Sequence, residues 1–181
     1  LRSTETLPEG TERSPRAFKD WKHRQFILVL VPTRELAEQV YENALKMLEG
    51  TNLSAVSVYG GTAYDKQKTA IEKGCEFVIA TPGRLIDLFK EHFVDMNQVR
   101  GVVFDEADRM FDMGFKDDMI YLLKRIPRDR QFCVFSATLN FDVLNDSIIA
   151  GSRSPKLKGR ILISKANKDE TLETYWESIY N

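Results

Sequence analysis

Gly101-Val-Val-Phe-Asp-Glu-Ala-Asp-Arg-Met-Phe-Asp-Met-Gly-Phe115 is the stretch whose reading decides the fold. Val102, Val103 and Phe104 form an apolar run that stops abruptly at Asp105, Glu106 and Asp108. A run that is apolar on both faces reads as the end of a buried parallel strand. The carboxylates then fall at the strand's C-terminal end, where open α/β sheets place their ligands. Two adjacent carboxylates suit one hard cation such as Mg2+, which takes oxygen ligands and keeps several of its own waters. The second carboxylate can orient or deprotonate an attacking water. Taken alone, D-E-x-D fits an acidic turn that opens a helix just as well.

Working outward, apolar runs alternate with helical spacing. Phe26 to Val31 reads as a strand stopped by Pro32-Thr33, and Thr33 reads as the N-cap of a helix with Glu35 in its first turn. Leu36, Val40, Ala44, Met47 and Leu48 recur on one helical face, and Gly50 stops the helix. Ser54 to Tyr59 is a second strand, closed by Gly60-Gly61 and followed by a helix over Thr62 to Lys73. Glu76 to Ala80 is a third strand. Thr81 with Pro82 starts a helix that runs to about His92, Pro sitting at the first helical position. Val99 to Phe104 is the fourth strand, followed by a helix over Lys116 to Arg125. Gln131 to Phe135 is the fifth, ending in Ser136-Ala-Thr138. A helix over Phe141 to Ala150, a strand over Arg160 to Ser164 and an alternating tail, Tyr175 to Tyr180, complete the pattern. The fold class expected is α/β, with a mostly parallel sheet and helices on both faces.

Composition sets the bounds. The chain has 181 residues, which fits one domain with a real core, and 43% apolar and 29% charged residues, which fits a globular protein. A net charge of −1 neither favours nor excludes nucleic acid, so any binding surface must be local. Two cysteines and two histidines exclude a disulfide framework and a histidine-rich metal site, and Cys133, inside an apolar run, reads as a small buried hydrophobe. No apolar run is long enough for a transmembrane helix and no signal peptide is present, so the expected location is cytoplasmic, or nuclear in a eukaryote. The start at Leu1 rather than Met suggests a fragment or an omitted leader. From Ser147 to Lys168 there are six basic residues and no acidic one, which reads as a solvated basic surface or a phosphate contact.

The strand ends share a character: Pro32-Thr-Arg-Glu-Leu36, Gly60-Gly61, Thr81-Pro-Gly-Arg84, Asp105-Glu-Ala-Asp108 and Ser136-Ala-Thr138. In a parallel sheet all five fall along one edge. Thr33 and Thr81 open helices, whose free N–H groups and dipole suit phosphate, and Arg34 and Arg84 add charge beside them. Each piece alone is ordinary α/β punctuation. Together they fit phosphoryl chemistry beside a polyanion.

These five groups, in this order and spacing, resemble the first RecA-like domain of a DEAD-box RNA helicase, over about Phe26 to Ser164. Pro32 to Leu36 is similar to that family's motif Ia, Gly60-Gly61 to its GG motif, Thr81 to Arg84 to motif Ib, Asp105 to Asp108 to motif II, and Ser136 to Thr138 to motif III. The resemblance implies an ATP- and Mg2+-dependent RNA helicase. In it, Asp105 would hold Mg2+ through water and Glu106 would position and activate the hydrolytic water. Asp108 would bond to Ser136 and Thr138, coupling nucleotide state to domain closure. Pro32, Thr33, Arg34, Gly60, Gly61, Thr81, Pro82, Gly83 and Arg84 would line the RNA path. Backbone contacts of that kind make binding largely independent of RNA sequence. The implied partners are RNA and a second RecA-like domain, with no membrane.

The departures from the family pattern are as specific. A P-loop reads G-x-x-x-x-G-K-[ST], and the chain has no Gly-Lys pair. The Q motif and the arginine-rich motif VI of the second domain are missing too. The resemblance therefore divides the chain into a loop segment over 1–25, a partial RecA-like domain over 26–165, and an interdomain linker reaching a second domain over 166–181. The P-loop strand is central in such sheets, so the isolated segment is expected to be unstable or self-associating. It is also expected to turn over no ATP alone, since phosphoryl transfer rests on positioning and charge stabilisation. Two other readings stay open: a non-catalytic RNA-binding or regulatory module, and a metal-dependent nuclease built on Asp105, Glu106 and Asp108.

Overall fold

The computed structural model describes residues 21–22, 24–61, 64–127, 130–137 and 163–164. Strand β1 covers Phe26–Leu30, β2 Ala55–Val58, β3 Phe77–Ala80, β4 Val99–Phe104, β5 Gln131–Phe135 and β6 Ile163–Ser164. They form one sheet of order β2-β3-β1-β4-β5-β6. All five pairings are parallel. Helix α1 spans Arg34–Leu48, α2 Tyr64–Lys73, α3 Pro82–Lys90, α4 Ala107–Asp112 and α5 Lys116–Leu123. A short 3-10 turn, Met96–Gln98, leads into β4.

Alternation along the strands builds a core on each face. Phe26, Leu28 and Leu30 of β1, with Val56, Val58, Val78, Ala80, Val102, Phe104 and Val134, point to one side. There they meet Leu85 and Leu88 of α3, Met110 of α4, and Met119 and Leu122 of α5. On the other side Val29, Val31, Phe77 and Ile79 meet Leu36, Ala37, Val40, Tyr41 and Ala44 of α1. Leu28 and Leu30 are fully buried because β1 is paired on both edges and covered on both faces.

The expected strands and helices over residues 26–135 are present, with ends shifted by a residue or two. Three details differ. Met47 is 82% exposed, not on the core face. Leu36, Ala37, Val40, Tyr41, Ala44 and Leu48 form the inward face of α1, and Met47 falls outside it in the last turn. Cys133 is half-buried and Cys75 is the buried thiol. Cys133 lies opposite Val103, on the sheet face that carries α1, and α1 packs chiefly on β2 and β3. Burial, with Glu76 beside it, pushes the Cys75 thiol up to about 12, so it stays protonated and inert. Helix α4 answers to the alternative reading of D-E-x-D, an acidic turn that opens a helix; the apolar pattern placed no helix between β4 and Lys116. The expected helix over 141–150, the alternating tail and most of the basic run lie outside the described residues, and the expected sixth strand is described at Ile163 and Ser164.

Candidate functional site

The strand ladder continues past the strand ends and sets the motifs side by side. Thr81 N donates to Val58 O at 2.9 Å, Val31 N to Ala80 O at 3.0 Å, and Asp105 N to Leu30 O at 2.9 Å. Along the C-terminal edge the order is therefore Gly60-Gly61, Thr81–Arg84, Pro32–Leu36, Asp105–Asp108 and Ser136. This differs from chain order. It gathers the glycine pair and both arginine-bearing helix starts on β2, β3 and β1, and the carboxylates and Ser136 on β4 and β5.

In the carboxylate half, Asp105 is half-buried and its Oδ1 accepts from Glu106 N at 3.0 Å. Burial, and the Glu106 charge next to it, hold the Asp105 carboxyl above its usual value despite that hydrogen bond. Such a carboxylate gains from a cation. Glu106 adopts φ 50 and ψ 50, a left-handed conformation costing a non-glycine residue about 1–2 kcal/mol. The strain turns the chain sharply from β4 into α4, leaving the Glu106 carboxylate at the edge, where its Oε2 accepts from Arg109 Nη1 at 3.1 Å. Asp108 N donates to Ser136 Oγ at 3.1 Å, and Asp108 Oδ1 accepts from Arg109 N at 3.0 Å. Thr138 lies outside the described residues. No cluster of three His, Cys, Asp or Glu side chains that could hold a metal occurs among the described residues. A cation here would rest on Asp105 and Glu106 and its own waters, a donor set that suits Mg2+.

In the other half, Thr33 caps α1: its Oγ1 accepts from Leu36 N at 3.2 Å. Arg34, exposed, donates from Nε to Glu38 Oε1 at 3.1 Å. Tyr59 donates its hydroxyl to the same Glu38 oxygen at 2.9 Å. The tyrosine first, then the arginine, holds the Glu38 carboxyl below its usual value. Gly61 has φ 81, and a Cβ there would meet Arg34 Nη1 at 3.4 Å. Thr81 occupies the N-cap of α3 without a side-chain capping bond. Pro32 and Pro82 are buried, whereas Gly60, Gly61 and Gly83 are exposed. Arg84 is half-buried, over the Tyr64 ring at 4.7 Å. Tyr59, Glu38, Tyr64 and Arg109 are partners that sequence reasoning missed. The placing of a tyrosine on either side of the glycine pair was the one visible signal.

A parallel α/β sheet whose C-terminal edge carries these groups defines the class: a RecA-like domain of the helicase kind. The family model for DEAD/DEAH box helicase matches residues 15–147, and the chain belongs to that family. ATP-dependent RNA helicase RhlB of Vibrio atlanticus is 45% identical over 118 residues, covering 64% of this chain and 27% of the relative. RhlB of Vibrio campbellii is 42% identical over 140 residues, covering 76% and 30%. Among solved structures, a hypothetical ATP-dependent RNA helicase from Sulfolobus tokodaii superposes with a TM-score of 0.66 at 31% identity, covering 77% of this chain and 40% of that one. A DEAD box protein from Methanococcus jannaschii gives 0.68 at 31%, covering 79% and 37%. The chain spans less than a third of the length of these two curated relatives. No helix among the described residues is long and apolar enough to cross a membrane.

Proposed function

We propose that this chain is part of the first RecA-like domain of a cytoplasmic ATP-dependent RNA helicase, over 26–165, with a loop segment before it and a linker to a second RecA-like domain over 166–181. The observation that carries the reading is the order of the sheet edge, which puts arginines and helix starts in one half and paired carboxylates in the other. Asp105 holds Mg2+ through water, Glu106 orients and activates the attacking water, and Asp108 links to motif III through Ser136 and Thr138. Pro32, Thr33, Arg34, Gly60, Gly61, Thr81, Pro82, Gly83 and Arg84 line the RNA path. The buried prolines contribute through backbone, and sugar-phosphate contacts make the binding largely sequence-independent. ATP supplies the phosphoryl group; the role of this chain is to place one water and neutralise charge near Asp105.

The chain has no Gly-Lys pair to cradle phosphates, so it hydrolyses no ATP alone. The same observation favours a second reading, a non-catalytic RNA-binding or regulatory module. RNA-stimulated ATP hydrolysis by the chain, with Glu106→Gln as control, tests the first. No turnover with salt-sensitive RNA binding is the expected result. Turnover that disappears in Glu106→Gln overturns the claim that the phosphate cradle lies elsewhere. Loss of all RNA binding at low salt overturns both readings.

A further inference from the structure

The Gly60-Gly61 turn is bracketed by two tyrosines, and each stands against one of the two arginines of the proposed RNA path. Arg34 Cζ lies 5.2 Å from the Tyr59 ring centroid, and Arg84 Cζ lies 4.7 Å from that of Tyr64. A guanidinium on a long stem samples many positions, and an aromatic face restricts it without using its hydrogen-bond donors. Donors that are exposed and not already used, as Arg34 Nε is by Glu38, then stay available for phosphate oxygens.

The two tyrosines are fixed by different means. Tyr59 is buried at the end of β2, and its hydroxyl shares Glu38 Oε1 with Arg34 Nε, closing a triangle of three side chains. Tyr64 opens α2 and packs on the main core. Its hydroxyl interacts with Glu91, and its ring is the part that faces Arg84. Lys68 Nζ also lies over that ring at 4.2 Å, with Glu91 Oε2 3.1 Å from it. Arg84 Nη1 is buried without a hydrogen-bond partner. The buried Gln67 amide donates to Tyr59 O at 3.1 Å and ties α2, and so Tyr64, to the end of β2. One turn thus carries both rings. Gly61, with φ 81, leaves space for Arg34 beside it.

We propose that Tyr59 and Tyr64 are positioning residues for RNA binding, holding Arg34 and Arg84 on either side of the glycine turn for the phosphates of one RNA strand. The inference rests on the RNA-path reading above and adds how its cations are set. It predicts that the tyrosines act only through their arginines. Tyr64→Phe keeps the ring over Arg84 and gives up only the hydroxyl's interaction with Glu91, so it keeps wild-type binding. Tyr59→Phe loses the bond to Glu38 and is weakened partway. Tyr64→Leu removes the ring face.

The experiment is fluorescence anisotropy of a labelled single-stranded oligouridylate with the full chain over a salt series, each variant checked for an unchanged melting transition. Arg84→Ala is expected to lower the steepness of log K against log salt by about 0.7, one single-strand phosphate contact. Tyr64→Leu is expected to weaken binding about 3- to 10-fold and to move the slope toward that of Arg84→Ala. Added to Arg84→Ala, it should cause no further loss. Wild-type affinity in Tyr64→Leu beside a weakened Arg84→Ala overturns the positioning role and leaves the RNA path standing. So does a full extra loss in the double variant, or equal damage by Tyr64→Phe and Tyr64→Leu. Wild-type binding by both Arg34→Ala and Arg84→Ala removes these arginines from the RNA path and the inference with them.

Discussion

Asp105 is held away from its preferred charge state by its own surroundings. Partial burial and the adjacent Glu106 charge raise its carboxyl above the ordinary value, while the bond from Glu106 N opposes them. The sign of the consequence is fixed. A carboxyl whose folded value is raised binds its proton more tightly in the fold than in the unfolded chain. Stability is then fullest below the unfolded value and is lost as pH rises through the folded one. Replacing Asp105 by Asn removes the charge and keeps an oxygen for Glu106 N. The Asn variant should melt above wild type at pH 7, and the gap should close toward about pH 4, near the carboxylate range. Thermal melts at the two pH values check this, and a gap that widens in acid would show Asp105 to be stabilised by its charge. Glu106 carries a comparable cost in its backbone, through its left-handed φ of 50. Its pair with Arg109 is exposed on both sides and holds the carboxylate only loosely.

Two helices of this edge begin with threonine, and they are not equivalent. Thr33 accepts from Leu36 N, satisfying one of the free donors of α1, whereas Thr81 caps α3 by backbone position alone. Thr33→Ala should cost about 1 kcal/mol of stability, read from urea unfolding, and Thr81→Ala only a few tenths. Equal losses would mean that the two caps are the same. The start positions themselves were legible, because Pro-Thr and Thr-Pro after an apolar run are strong punctuation. So were the five strands over residues 26–135, since buried parallel strands read as short continuous apolar runs. Helix α4 was not legible in the apolar pattern. Six residues give too few turns for a period to emerge, and the left-handed Glu106 that starts it leaves no mark in composition. Met47 misled because it lies at the margin of the inward face: Leu36, Val40 and Ala44 pack inward and Leu48 is buried, as expected, while Met47 in the last turn is exposed.

Across the whole sheet, sequence reasoning placed the motifs on one edge but could not order them. Strand order is set by crossovers between elements far apart in the chain, and β1, first among the described strands, lies in the middle. That order separates the edge into two halves joined at β1 and β4, where Leu30 O accepts from Asp105 N. The side-chain contacts described for Arg34 and Arg84 stay within their own half: Glu38 and Tyr59 for one, Tyr64 for the other. Those described for Glu106 stay in the other half, with Arg109. On the proposed RNA path, removing a carboxylate should therefore leave RNA binding by the isolated chain intact, while removing an arginine should not. In a single-stranded RNA titration near 0.15 M salt, Glu106→Gln should bind within about twofold of wild type, whereas the Arg34→Ala, Arg84→Ala double variant should weaken about 10-fold or more and shed about 1.4 from the salt slope, two phosphate contacts. A Glu106→Gln loss as large as that of the arginine pair would mean that the halves are coupled within this chain alone. Coupling between nucleotide and RNA would then belong to the sheet edge itself, rather than to closure against a second domain.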